Sequence, residues 1–270
     1  MEHADSYLAD SIRRAEGSGS GWATDTTGHH VAQLRAFAGH AAAIAGLPAN
    51  PLAGFKGPKR TRREDRTVDG LEDDEVIAVL DSLGGSTFRD VVDRGLFVLG
   101  FEDGPRRSEF APMDVADFRL AERAGQPLGW VVDVRYPAKG GKPRTLPLGV
   151  RAEGALRDLV GRRASGPLFP SRDGTALSGE RIGERLAALG DRAGVDLSPQ
   201  RLRRSASSWQ DAYGASSGHL DTVFGWQPNP IDVKSGHYIK PTLTQLLIAH
   251  QTQLSPLDRL EHRVGRLPLG

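Results

Sequence analysis

Two arginine-bearing segments and a late tyrosine carry the chemistry within reach of this chain. They are Gly104-Pro-Arg106-Arg107-Ser108-Glu109, Ser198-Pro-Gln200-Arg201-Leu-Arg203-Arg204-Ser205, and the stretch that runs from Gly225-Trp226 to His237-Tyr238. Arginine suits phosphate because its planar fork donates two N–H groups in parallel and stays charged. Two fixed guanidiniums could hold a phosphodiester while a phenol oxygen attacks it, breaking and rejoining a nucleic-acid backbone without a metal. Each segment also has a plainer reading. Arg106 and Glu109, three residues apart, can form an intrahelical ion pair, and Arg203 can be a surface arginine paired with a carboxylate. Of the four tyrosines, Tyr7 sits in the N-terminal stretch, Tyr136 alternates with Val132 and Val134, and Tyr213 falls on an apolar helix stripe. Tyr238 lies in a polar segment, where a reactive phenol is better placed than a core residue.

The elements that must position these groups follow from periodicity. Ser198 is a good N-cap and Pro199 suits the first helical position. From there Leu202, Ala206, Trp209 and Tyr213 form one apolar stripe, while Gln200, Arg203 and Ser207 share another face. The Arg106 segment follows an apolar helix predicted from Thr87 to Phe101, with Val91, Val92, Phe97 and Val98 inward. Asp69-Gly-Leu-Glu72 reads as a capping box opening a helix through Leu83. Gly129 to Tyr136 has strand period, Lys139-Gly-Gly-Lys142 is a turn, and Arg144 to Leu148 is a return strand. Further helices are predicted near 151–163, 178–193, 199–213 and 243–254. The fold class is therefore mainly α with a small antiparallel β-sheet. Ahead of this domain, Thr24 to Ala45 predicts a helix with Val31, Leu34, Phe37, Ala38, Ala41 and Ile44 on one stripe, ended by Gly46 and Pro48. The expected division is a helical region over 1–55, a linker over 56–68 and the main domain over 69–270.

That linker is rich in cations: Lys56, Lys59, Arg60, Arg62 and Arg63 fall in a stretch with almost nothing to bury. It reads either as a solvated connection or as a basic strap along phosphates, and the arginine segments favour the strap. Over the 270 residues the net charge is only +1, so any nucleic-acid affinity must come from local clustering. There are no cysteines, which excludes disulfides and thiol chemistry. His29, His30 and His40 lack carboxylates at matching spacing, so no metal is expected. Gly214-Ala-Ser216-Ser-Gly218 matches a hydrolase elbow, but a helix precedes it where that elbow needs a strand. No apolar run approaches the roughly 20 residues of a membrane span. With no signal sequence at the N-terminus, a cytoplasmic protein is expected.

Taken together, these segments resemble the tyrosine recombinase (phage integrase) family. Gly104, Arg106, Glu109, Phe110 and Asp117 resemble its first box, and the run Lys139 to Leu148 resembles its lysine hairpin. Ser198 to Ser205 resembles its second box, Gly225-Trp226 its Gly-His or Gly-Trp element, and Tyr238 its nucleophile element. The resemblance spans roughly residues 24–242 and implies a catalytic domain preceded by a short helical core-binding region. It implies that Tyr238 attacks the scissile phosphate to form a 3′-phosphotyrosyl bond, that Arg106 and Arg203 neutralise the phosphorane, and that Lys139 protonates the leaving 5′-oxygen. Trp226 would hydrogen-bond the phosphate. Arg107 and Arg204, beside the two catalytic arginines, would join the linker cations in binding DNA.

The implied partner is double-stranded DNA with a specific crossover site, with a monomer in solution assembling into a homotetramer on synapsed DNA. No cofactor is implied, and a mobile element is the expected setting. The sequence departs from the family in two ways. Gln200 stands where the second box usually has histidine, and an amide cannot shuttle a proton; His219 and His237 are the candidate substitutes. The region ahead of the linker is also shorter than the family's helical bundle. An alternative is a DNA-binding relative that has lost cleavage and acts as an accessory protein. The stretch 243–260 closes its own domain or, by family analogy, docks on a neighbouring protomer.

Overall fold

A computed structural model describes residues 24–55, 70–136, 142–227, 240–265 and 267. The predicted linker, Lys139 and Tyr238 lie outside these residues. Contacts divide the chain into two units, Met1–Thr67 and Val68–Gly270.

Among the described residues of the first unit, the helix α1 (Thr24–Ile44) ends at the Gly46 turn. The chain then folds back along it. The Arg35 guanidinium donates to the Ala53 carbonyl at 3.0 Å, and the Asn50 amide donates to the Arg35 carbonyl at 2.9 Å. The predicted inward stripe needs correction. Val31 is buried as expected, but Leu34, Phe37 and Ile44 are exposed, and Ala42, off that stripe, is buried. A short return segment offers too little surface to cover a whole helix face, so only part of α1 is enclosed.

The second unit contains α2 (Asp73–Ser82), α3 (Phe88–Asp103), α4 (Arg107–Phe110), a 3₁₀ turn (Val115–Asp117), β1 (Phe118–Arg123), β2 (Gln126–Val134) and β3 (Arg144–Pro147). It continues through α5 (Val150–Val160), α6 (Gly179–Ala193), α7 (Pro199–Ala212), α8 (Ser217–Phe224) and α9 (Leu243–Ala249). A π-turn (His250–Leu254) leads into α10 (Pro256–Val264). Every side chain of α3 from Leu96 to Leu99, and Phe101, is fully buried, as befits the unbroken apolar run in the second half of this helix. Helices α5, α6 and α7 pack around it. Thr87 caps α3 reciprocally with Asp90. At Gly100 an added Cβ would stand 2.7 Å from Leu202, so α7 crosses α3 more closely than alanine allows.

The α7 stripe is as predicted: Leu202 and Ala206 are fully buried, and Trp209 and Tyr213 meet edge to face at 6.1 Å. The three-stranded antiparallel sheet has the order β1-β2-β3, with Phe118 opposite Val132 and Val134 opposite Arg144. Phe118, Val132, Val134 and Leu146 join the main core, and α9 covers part of the other face through Leu247 against Ala121 and Val131.

Four expectations at this level are corrected. The α2 cap is Glu72, reciprocal with Glu75, because the helix starts one turn later than the Asp69 box proposed. Strand β2 stops at Val134, which leaves Tyr136 67 % exposed rather than on the inward face. The helix predicted over 243–254 breaks at Ala249 into the π-turn, and Ser255 caps a new helix with Pro256 at its start. The elements β1, α8 and α10 were not anticipated. Leu257, Leu260 and Leu267 are buried in the main core, so the C-terminal stretch closes its own domain.

Candidate active site

Gly104 starts the site. It ends α3 in the left-handed conformation, φ +53°, and a Cβ there would stand 2.6 Å from the Arg203 Cα. Only glycine satisfies both demands. The contact lets the Arg203 guanidinium donate through Nη1 to the Gly104 carbonyl at 2.6 Å. Through Nη2 it donates to the Phe224 carbonyl at the end of α8. The Phe224 ring lies 5.3 Å from the Arg203 Cζ. Two carbonyls from two helix ends thus fix the direction of this side chain. Each of the two nitrogens keeps a second hydrogen for another acceptor.

Arg106 stands at the N-cap of α4, and Glu109 reaches back to it. The Arg106 backbone N–H donates to Glu109 Oε2 at 2.7 Å, and its Nη1 donates to Oε1 at 3.1 Å. The carboxylate is fully buried, and a second arginine binds both of its oxygens. Arg144 on β3 donates through Nη1 to Oε1 at 3.0 Å and through Nη2 to Oε2 at 2.7 Å. Its Nε donates to the Val223 carbonyl at 2.7 Å. Among the described residues, two guanidiniums thus pair with this carboxylate and Arg203 lies in their field, three positive charges to one negative. Burial, with Arg106 and Arg144 adding to it and Glu109 opposing, lowers Arg203 to about 10. The group stays protonated at neutral pH, in a field that favours an incoming anion.

Trp226 extends this cluster outward. Gly225 closes α8 in the left-handed conformation, and the Trp226 ring stacks on Phe224 at 5.2 Å while remaining 41 % exposed. A cleft of about 420 Å³ opens here, lined among others by Lys142, Arg144, Trp226 and Lys240.

Of the residues singled out from sequence, Arg106, Arg203 and Trp226 come together. Gln200 is exposed in the first turn of α7, one turn before Arg203. Arg107 is exposed at the start of α4, with its stem over Gly179 and Gly183 of α6, and Arg204 is half-buried on α7. Lys139, Tyr238, His237 and the linker cations Lys56, Lys59, Arg60, Arg62 and Arg63 lie outside the described residues. Asp117 is buried, receives the Asp114 backbone N–H at 2.8 Å and pairs with Arg135. His219 is buried and stacks on His250 at 6.5 Å. Burial pushes it down to about 4, with His250 adding to the effect. An enclosed imidazole of this kind is a poor stand-in for the second-box histidine. Ser216, in the elbow-like run, simply caps α8.

The sequence reading missed Arg144. Its signal was present: Arg144, Leu146 and Leu148 share one parity of a strand, which places an arginine inward, where it requires a buried carboxylate.

Comparison with known proteins adds an independent observation. Residues 70–229 match the family model described as the phage integrase family. The chain is 32 % identical over 165 residues to the tyrosine recombinase XerC of Chromobacterium violaceum, covering 59 % of this chain and 51 % of that protein. It is 28 % identical over 213 residues to XerC of Haemophilus influenzae, covering 75 % of this chain and 68 % of that one. The chain thus spans about half the length of several curated relatives it matches. Among solved structures, the Tn1549 transposon integrase in complex with a circular-intermediate DNA aligns at TM-score 0.60 and 16 % identity, covering 88 % of this chain and 82 % of that one. A lambda integrase dimer bound to a core site aligns at 0.59 and 15 %, covering 88 % and 79 %. At such identities the structural likeness concerns the fold.

Proposed function

Since the chain belongs to the phage integrase family, we propose that it is a site-specific DNA recombinase that cuts and rejoins strands through Tyr238. The observation that carries this reading is the cluster of Arg106, Arg144 and Arg203 around the buried Glu109, with Trp226 at its rim. A phosphodiester carries one negative charge, and the five-coordinate state on the way to transfer carries more. Two excess positive charges, fixed in direction before substrate arrives, stabilise that state more than the ground state.

In the proposed step the Tyr238 oxygen attacks phosphorus, a 3′-phosphotyrosyl bond forms, and the bond to the 5′-oxygen breaks. A phenol has a pKa near 10 and must lose its proton to water or a neighbouring group. Lys139 supplies a proton to the departing oxygen. Arg106 and Arg203 hold the non-bridging oxygens, and Trp226 adds its indole N–H. Gln200 takes the place of the usual histidine as a hydrogen-bond donor. The bond energy is conserved in the protein–DNA linkage, so the rejoining step needs no nucleotide. The substrate is duplex DNA with a specific crossover site, the working assembly is a tetramer on two synapsed duplexes, and a mobile element is the natural setting.

A nicked suicide duplex carrying the native crossover site tests this reading. The parent is expected to form a covalent adduct that is absent in Tyr238→Phe. Gln200 favours one other reading, a relative that binds the site without cleaving it. A parent that shifts the duplex in a binding assay yet yields no adduct would decide for that reading.

A further inference from the structure

Behind the arginine loop lies a buried group of ionisable side chains that the proposed chemistry does not use. Glu102 and Asp103, the last residues of α3, are both fully buried, as is His250 in the π-turn. His250 Nε2 is 2.8 Å from Glu102 Oε1, and its Nδ1 is 4.0 Å from Asp103 Oδ1. Glu102 also receives the Gly149 N–H at the start of α5, at 2.9 Å, and faces the Leu257 N–H in the first turn of α10, at 3.5 Å. Asp258 receives the Val150 and Arg151 N–H groups at 2.8 and 3.0 Å. Carboxylates therefore clamp two helix N-termini onto the end of α3, where the backbone donors and the dipole favour negative charge. The residue after Asp103 is Gly104, whose carbonyl holds Arg203.

We infer that His250 is a positioning residue for strand cleavage: by holding the Glu102–Asp103 end of α3 in place, it sets the loop that carries Arg106 and whose Gly104 carbonyl holds Arg203. The inference rests on the recombinase reading of that site. Both Asp103 oxygens, His250 Nδ1 and His219 Nε2 are buried with no hydrogen-bond partner. Among the described residues, no three His, Asp or Glu side chains are disposed to hold a metal ion. Facing His250 are Glu102 and Asp103 from α3, His219 from α8 and Asp258 from α10. Arg144 from β3 and Gln210 from α7 lie against Asp103. Burial would depress His250, yet Asp103 and Glu102 raise it. Burial, opposed by His250, pushes Asp103 up to about 8.

Near neutral pH Asp103 is therefore held neutral beside His250. Above about pH 8 Asp103 ionises in a fully buried position, with His250 and Gln210 beside it. A buried negative charge there loosens the end of α3.

The test measures single-turnover cleavage of the nicked suicide duplex across neutral and alkaline pH, with affinity for the same duplex measured separately. His250→Ala is expected to cleave roughly 10- to 100-fold more slowly with affinity unchanged, as for a small misplacement of fixed catalytic groups. His250→Gln keeps a donor toward Glu102 and should recover most of that loss, and it serves as the folded control if the alanine variant does not fold. Between about pH 7 and 9, below the ordinary range of a lysine, the parental rate is expected to fall, and in Asp103→Asn this fall should disappear. An alanine variant that cleaves at the parental rate overturns the inference. So does one that loses affinity and cleavage in the same proportion, or a fall within that window that survives in Asp103→Asn. A parent that forms no adduct overturns the recombinase reading and this inference with it, whereas a cleaving parent with an indifferent His250 overturns this inference alone.

Discussion

At the scale of single residues, Glu109 turns three arginines into one unit. A lone guanidinium on a surface helix is mobile and well solvated. Here one fully buried carboxylate receives Arg106 and Arg144, and Arg203 sits in the field of both. Arg144 contributes most to this order, since it is only 4 % exposed and spends three nitrogens on Glu109 and the Val223 carbonyl. Arg144→Ala would take from the carboxylate the arginine that binds both of its oxygens. Breaking a buried pair in this way is expected to destabilise the fold by about 3 kcal/mol, read as a lower urea midpoint. Arg144→Lys keeps the charge but cannot bridge Glu109 and Val223 together. It should fold and form the covalent adduct at least roughly tenfold more slowly. An unchanged adduct rate in Arg144→Lys would reduce Arg144 to a packing residue. The sequence revealed Arg106 and Arg203 because each sits in a recognisable local pattern. Arg144 was hidden because its partner, Glu109, lies 35 positions away in the chain. Local spacing carries no information about a pair closed by tertiary packing.

At the scale of elements, the site is a meeting of ends: α3 at Gly104, α4 at Arg106 and α8 at Phe224-Gly225, with α7 running past all three. Gly104 is the sharpest point to test. Any side chain there must adopt a left-handed backbone and also push against the Arg203 backbone. The conformational cost alone is about 1–3 kcal/mol for a residue other than glycine. Gly104→Ala is therefore expected to lower thermal stability and also to displace α7. Its adduct rate should fall by more than that of a control such as Gly125→Ala. Gly125 has a comparable positive φ of +77° but open space around it, so the control isolates strain from collision. Equal loss in the two variants would argue against α7 displacement.

The same distinction explains which elements were legible. Helices α3, α6 and α7 announce themselves through caps and a single apolar face or core, and their predicted and observed limits nearly coincide. Strand β1 did not, because a bulge between Ala121 and Glu122 breaks its alternation. Helix α8 is short and begins at a serine that matched another motif. Helix α10 was absorbed into the helix before it, and the intervening π-turn follows from packing His250 inward rather than from local propensity.

At the scale of the whole molecule, charge decides how such a protein would find and hold DNA. The net charge of +1 gives almost no long-range attraction, so affinity must come from cations that meet phosphates directly. The arginines of the cluster are engaged with Glu109 and with backbone carbonyls. Lys59, Arg60, Arg62 and Arg63, shortly ahead of Val68 in the sequence, form the densest run of cations left for the remaining backbone. If that run lies along DNA, each phosphate it neutralises releases counterions. The logarithm of the binding constant should then fall with the logarithm of salt by about 0.9 per contact. Replacing these four residues with alanine is expected to weaken binding to specific and unrelated duplexes alike. It should also flatten the salt slope by up to about 3.6. The ratio of the two affinities should hardly change, because phosphate contacts position a protein without reading bases. Arg203→Ala should do the reverse, leaving the slope within about one contact of the parent while abolishing the adduct. A slope unchanged by the four-alanine variant would mark the run as a solvated connection and move the search for the DNA-tracking surface to the exposed Arg107 on α4.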